Sequence, residues 1–448
     1  MDITKLIDEN IDFIMSVIQP MMTSSCTGNY ALDEYISQLV QVAESKLINI
    51  DIPKMLSAEG EVTEKTMLPH LAFQAQKFDS VLWSKYSYVY SESGLTYWIV
   101  IRDQKTFSRW VSAELDAAIA RFQDIRQMNL LELSYGTTIP QAAQDFVALW
   151  ENLSSRYSGL RQAQCRLLFF EKIQTPLALD CFLDHVSSIA REMDSMFSAI
   201  VAQRTEESVK RVSFYCASIS ALKHVHAFLL EASESDFFLE MEDVAKAPLF
   251  LDILDRFTLQ IDKICNEYLH PSIQETLSES SLGYKSRFWN LPPENDAGVG
   301  NEYLSVELKP CIEALGQFFK VMKDRLDAQT YQRLALQVLD WADSHMISLV
   351  FNRKSSSLFS DSGARQLQYD LLTVLPGTAI GCRNAAKALK RTREVVEILR
   401  MPLDAKDSPS ALNLLLAIKN GQGLDANFGI SWLDTDTVVR VIHRRKGI

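Results

Sequence analysis

The tripeptide Asp361-Ser362-Gly363, inside the stretch LFSDSGARQLQYDLLTVL (358–375), is the one that carries the catalytic aspartate of aspartic proteases. Such an enzyme needs two of these aspartates sharing a proton, because two carboxylates ~3 Å apart cannot both ionise. The chain holds one copy, so a second would have to come from a homodimer. The protease also sets its triplet between apolar strands, whereas ARQLQYDLLTVL follows here, with Leu367, Leu371 and Leu375 at four-residue steps. Ser360, Asp361 or Ser362 can cap that helix by accepting from its free N–H groups, with Phe359 stapling the first turn. The triplet reads as a helix start.

The other candidates for chemistry are weaker. His224 and His226 stand two apart, which on a helix turns them ~200° from each other; a metal pair wants four-residue spacing. Gly298 and Gly300 make half of a GxGxxG motif with no strand before it. Glu240, Glu242 and Asp243 lack the glycine and spacing of a calcium loop. No HExxH, GxSxG or phosphate-loop motif occurs. No convergent set of catalytic, cofactor-binding or metal-ligating residues emerges, and the expectation is a non-enzyme without a cofactor.

Apolar residues recur at three- and four-residue steps almost throughout, the helical period. Ile3, Leu6, Ile7, Ile11, Ile14 and Ile18 form one stripe, expected to stop at Pro20. The cleanest runs through Phe107, Trp110, Val111, Leu115, Ala118, Ile119, Phe122 and Ile125, opened by Asp103 and Thr106 as caps. Pro176 predicts a kink in the long pattern beginning at Leu167. Thr96–Ile101 (TYWIVI) is strand-like but has no partner run, so a buried connector or helix entry is expected. Residues 51–65, the acidic ASESDFFLEMEDVAK and residues 277–301 read as connections, the last as an irregular loop and soft boundary. The outcome is twelve to fourteen helices in three bundles, 1–135, 136–280 and 281–448, with no fixed-period repeat.

Composition agrees. Glycine is scarce, 16 of 448 residues against an average of ~7%, as long helices require. The net charge of −12 disfavours nucleic acid as a partner. Residues 380–448 nevertheless carry twelve Lys/Arg against seven Asp/Glu. Arg440, Arg444, Arg445 and Lys446 in this tail are the candidate contacts to an acidic partner or lipid headgroups. Seven scattered cysteines without a CxxC pair point to buried thiols in a reducing compartment. No apolar run approaches the ~20 residues that span a bilayer, so any membrane role is expected to be peripheral.

Five stretches, in order, resemble the RINT/Tip family, helical subunits of the endoplasmic-reticulum (ER) tether called NRZ in animals and the Dsl complex in yeast. They are TMLPHLAFQAQKFDSVL (66–82), FSRWVSAELDAAIARFQDI (107–125), QCRLLFFEKIQTPLALDCFLDHVSSI (164–189), SLFSDSGARQLQYDLLTV (357–374) and GISWLDTDTVVRVIHRR (429–445). The second carries the family's Trp, Glu and Arg at Trp110, Glu114 and Arg121; the fourth includes Asp361 and Gly363. All five are assigned to packing, with Trp110 in a bundle seam and Glu114 and Arg121 on or near its edge.

The resemblance implies an all-α elongated rod of stacked antiparallel helical bundles, the multisubunit-tether (CATCHR-like) fold. It implies a peripheral ER tether that binds ER SNARE proteins and other tether-complex subunits and supports Golgi-to-ER capture of COPI vesicles, with no small-molecule substrate. The family carries an additional N-terminal region that pairs with the neighbouring subunit, and this sequence resembles the part that follows it. The alternatives are a helical-bundle enzyme, a lyase or hydrolase, or a signalling or checkpoint scaffold of the same fold.

Overall fold

The computed structural model describes residues 3–24, 30–52, 61–88, 96, 101–199, 205–290, 303–351, 358–403, 410–421 and 423–445. Among these the chain is all-α, as expected. No strand occurs, and extended backbone pairs only at two isolated bridges, Leu133 with Pro140 and Phe359 with Arg445. Of the TYWIVI connector, residues 97–100 lie outside the described residues; Thr96 is buried and donates from its N–H and its hydroxyl to Asp79, each at 2.9 Å.

Prolines shape these helices in a way the stripe pattern did not anticipate. Pro20 does not stop the first helix. The chain passes from Ile3–Phe13 into a π-helical turn, Ile14–Ile18, and continues as Gln19–Ser24. The same event recurs at Leu47–Asp51, Phe170–Gln174, Ile264–Leu269 and Tyr369–Val374. Five of the six π-helical stretches among the described residues end two positions before a proline. A proline has no N–H for the carbonyl four residues back, and its ring crowds that carbonyl. Widening the preceding turn relieves both conflicts: Gln19, Thr175, His270 and Leu375, each directly before a proline, donate to the carbonyl five residues back. The kink expected at Pro176 is therefore a stretch of wide turns, Phe170–Gln174 and Leu177–Leu183.

The chain divides into two compact units. The first comprises Met1–Asn129, Gln141–Val186 and Leu222–Leu259. At its centre lies Gln104–Arg126, capped by the Asp103 carboxylate, which accepts from the N–H groups of Lys105 and Thr106. The stripe Phe107, Trp110, Val111, Ala118, Phe122 and Ile125 is buried. It faces Glu61–Tyr86, Gln141–Tyr157 and the Phe170–Gln174 turn. Rings interlock through this core, with centroid separations of 4.7 Å for Trp110–Phe169, 5.0 Å for Phe169–Tyr157 and 4.3 Å for Phe146–Phe182. Each such pair adds ~0.5–1.5 kcal/mol beyond its area. The acidic segment expected to be a connection contains a helix, Asp236–Ala245, because Phe238 and Met241 enter this core while Glu240 turns outward to Arg166.

The second unit comprises Leu130–Pro140, Ser187–Ala221 and Gln260–Ile448. His270–Ser280, Lys309–Arg325 and Ala328–Phe351 pack together, and Ala328–Phe351 also lies on Lys390–Arg400. Lys390–Arg400 in turn contacts Asp361–Gln368 and Thr435–His443. The loop expected over 277–301 is folded in its first half. Helix continues to Ser280, a 3₁₀ turn spans Leu282–Ser286, and Tyr284 and Trp289 are buried. Two aromatic anchors outweigh the polar composition there; residues 291–302 lie outside the described residues.

Candidate partner-binding surface

Asp361-Ser362-Gly363 begins a helix, and Ser360 is its cap. The Ser360 hydroxyl accepts from the Gly363 N–H (3.2 Å) and itself donates to the Trp289 carbonyl (3.0 Å). Asp361 is exposed in the first turn. Gly363 is required for space: a Cβ would collide with the Trp289 carbonyl. Phe359 lies buried between Trp289 and Phe351, the rings nearly parallel at 4.9 and 5.3 Å.

Trp110 is 1% exposed, and its ring N–H donates to the Glu114 carboxylate at 3.1 Å. Glu114 sits deeper than the edge position expected of it, at 5% exposure. Burial pushes its pKa up, against the Trp110 hydrogen bond and the charges of Arg156 and Arg121. The indole N–H one turn away is what makes that depth tolerable. Arg121 itself is exposed.

The C-terminal arginines turn inward more than a docking role requires. Arg444 donates to the Val350 carbonyl (2.6 Å) and lies over the Phe351 ring, while its own carbonyl accepts from the Phe359 N–H. Arg445 reaches the Ile398 carbonyl at 3.4 Å. Arg440 is exposed, its Nε donating to the Asp436 carbonyl one turn back. Lys446 lies outside the described residues. Arg444 and Arg445 thus tie the last helix to the second unit, since buried carbonyls at helix ends need donors.

Three buried carboxylates escaped the sequence reading. Asp370, in the π-helical turn Tyr369–Val374, accepts from the Tyr284 hydroxyl (3.0 Å), the Ser305 N–H (3.1 Å), the Ser305 hydroxyl and Gln366 (2.9 Å). Asp343 accepts from the Arg391 and Thr392 N–H groups (2.8 and 2.9 Å) and the Thr392 hydroxyl, capping Lys390–Arg400 from a different helix. Glu394 accepts from three successive N–H groups, Ser431, Trp432 and Leu433, at 2.8 to 3.1 Å. Burial raises the pKa of Asp370 and Asp343, offset in part by these donors. A signal was present. Asp343 interrupts the stripe Leu339, Met346, Ile347 and Val350, and Asp370 interrupts Leu367, Leu371 and Val374. A carboxylate on an apolar face demands buried donors.

These groups are engaged by internal donors. Among the described residues no cluster of three or more His, Cys, Asp or Glu is placed to hold a metal ion. His226 is set against Thr258 at 3.3 Å. The fold itself has a solved counterpart. It is similar to Tip20 in the crystal structure of the SNARE Sec20 bound to the Dsl1 complex subunit Tip20, with a TM-score of 0.68 and 16% identity, over 92% of this chain and 69% of that one. That likeness defines an all-α helical-bundle fold.

The sequence profile of the RINT-1/TIP-1 family matches residues 3–445, and the chain belongs to that family. A RINT1-like protein of Drosophila melanogaster is 22% identical over 467 aligned positions. They cover 97% of this chain and 58% of that relative, so the chain spans little more than half the relative's length.

Proposed function

We propose that this chain is a non-enzymatic subunit of an ER vesicle tether. It binds helical segments of ER SNARE proteins and other tether-complex subunits, and supports capture of COPI vesicles returning from the Golgi. The observation that carries the reading is the family match, which runs unbroken through residues 3–445. The likeness to Tip20, whose structure includes the SNARE Sec20, supports the partner class. The internal use of the buried carboxylates Asp370, Asp343 and Glu394 supports a structural role for them. Among the described residues no helix is long and apolar enough to cross a membrane, and the proposed ER association is peripheral, through protein partners. The test is a pull-down with the purified chain from detergent-solubilised membranes, followed by mass spectrometry. Recovery of ER SNAREs and tether subunits is expected; recovery of soluble metabolic enzymes alone would overturn the reading.

A further inference from the structure

The second unit carries a recess of about 600 Å³ beside the Lys390–Arg400 helix. Its apolar lining is Leu372, Val396 and Met401, and its polar lining is Gln368, Arg393, Glu397 and Arg400. Leu372 comes from the π-helical turn Tyr369–Val374, whose widened geometry turns the backbone there out of ordinary helical register. The recess is open to solvent, so it would cover one face of a bound group and leave the other exposed. The apolar lining would be wasted on water.

The charge of the lining follows the basic excess of residues 380–448. Arg393 and Arg400 are exposed, and the acceptors that hold their guanidinium groups are neutral: the Ala386 carbonyl (3.1 Å) and the Gln368 amide oxygen (2.9 Å). Glu397 sits one turn from each on the same helix, so the lining is net +1 in a chain of −12. We propose that this groove docks one amphipathic helix of a partner protein, its apolar face on Leu372, Val396 and Met401 and its flanking carboxylates on Arg393 and Arg400. Helix-in-groove recognition reads apolar anchors at three- and four-residue steps, and paired charges at the rim fix register and exclude wrong partners. The proposal rests on the reading above of a chain that binds helical segments, and synthetic peptides test the groove separately from the pull-down.

The test uses the purified full chain and a fluorescein-labelled synthetic helix of about five turns (~18 residues), with Leu along one face and Glu beside it. Anisotropy titration is expected to show binding that weakens with salt. A matched peptide with Lys for Glu should bind at least tenfold more weakly. R393E/R400E should weaken the Glu peptide by roughly tenfold, ~1.4 kcal/mol. E397K should tighten it severalfold, a gain that misfolding cannot produce. All three side chains are exposed, so melting temperatures should stay at the wild-type value. A photo-crosslinker on the peptide's Leu face should attach at Leu372 or Met401. Equal binding of the Glu and Lys peptides, indifference to the three substitutions, or no binding at all overturns the proposal. So does binding to phosphatidylserine vesicles that depends on Arg393 and Arg400 while both peptides are ignored.

Discussion

Replacing Asp370 by alanine removes the acceptor for four donors at once, and their surroundings set the cost. Gln366 is only half-buried and can turn to water. The Tyr284 hydroxyl, in a residue 0% exposed, and the Ser305 N–H, in one 4% exposed, cannot. The Ser305 hydroxyl can rotate toward another acceptor; the two remaining buried donors cost ~1–3 kcal/mol each when unpaired, so Asp370→Ala should lose on the order of 2–6 kcal/mol. At ~2–4 °C per kcal/mol for a cooperative unit of ~150–250 residues, the melting temperature of the second unit should fall by roughly 5–20 °C. Asparagine behaves differently. Its oxygen still serves the Ser305 N–H, and its amide can donate to the Tyr284 or Ser305 hydroxyl, each of which can turn from donor to acceptor. Asp370→Asn should therefore stay within ~1 kcal/mol of wild type.

The pH dependence separates the two forms further. Burial raises the Asp370 pKa above its ordinary value, so the folded chain holds this proton where the unfolded chain has released it. The group's stability contribution is complete below the unfolded pKa and is lost as pH rises through the folded one. An asparagine side chain does not titrate there. Any advantage of Asp370→Asn over wild type at neutral pH should shrink as the pH falls toward ~4. The assay is urea unfolding followed by tryptophan fluorescence, at several pH values. If asparagine is as damaging as alanine, or if the difference between asparagine and aspartate does not change with pH, the account of Asp370 as a desolvated carboxylate served by reversible hydroxyls is wrong.

Trp110→Ala empties a site packed on Phe169 and Phe107 and strips Glu114 of its N–H; a loss of ~3–5 kcal/mol is expected, and an unchanged thermal melt contradicts the packing role. Gly363→Ala forces a methyl against the Trp289 carbonyl and should cost ~1–3 kcal/mol, visible as a lower urea midpoint; a wild-type midpoint would show that the two backbones separate freely. Glu394→Ala removes the acceptor shared by Ser431, Trp432 and Leu433, so hydrogen exchange at these amides should accelerate at least tenfold, with persistence of protection as the refuting result.

Neighbours in the sequence were enough for helices with a clear stripe and cap. The Phe107–Ile125 stripe, its Asp103 cap, and the serine-opened helix after Phe359 were all legible, because capping and the 3.6-residue period depend on groups within a turn or two. The five family-like stretches were legible for the same reason: each is a local pattern. The prolines were visible but misjudged at Pro20, since a missing hydrogen bond can be met by widening a turn as well as by ending a helix. The acidic run at Asp236–Ala245 hid a helix whose justification is burial of Phe238 and Met241.

Tertiary structure alone decided where the charges went. Asp370 is satisfied by Tyr284 and Ser305, Asp343 by Thr392, and Glu394 by Ser431 to Leu433, all from distant segments. A stripe announces that a carboxylate will be buried, but not which N–H will meet it. Gly363 is fixed by Trp289, and the arginines proposed for docking at the C-terminus became internal ties at Arg444 and Arg445. The period of a helix is set by its own backbone, whereas the desolvation of a charge is set by whatever chain segment folds over it.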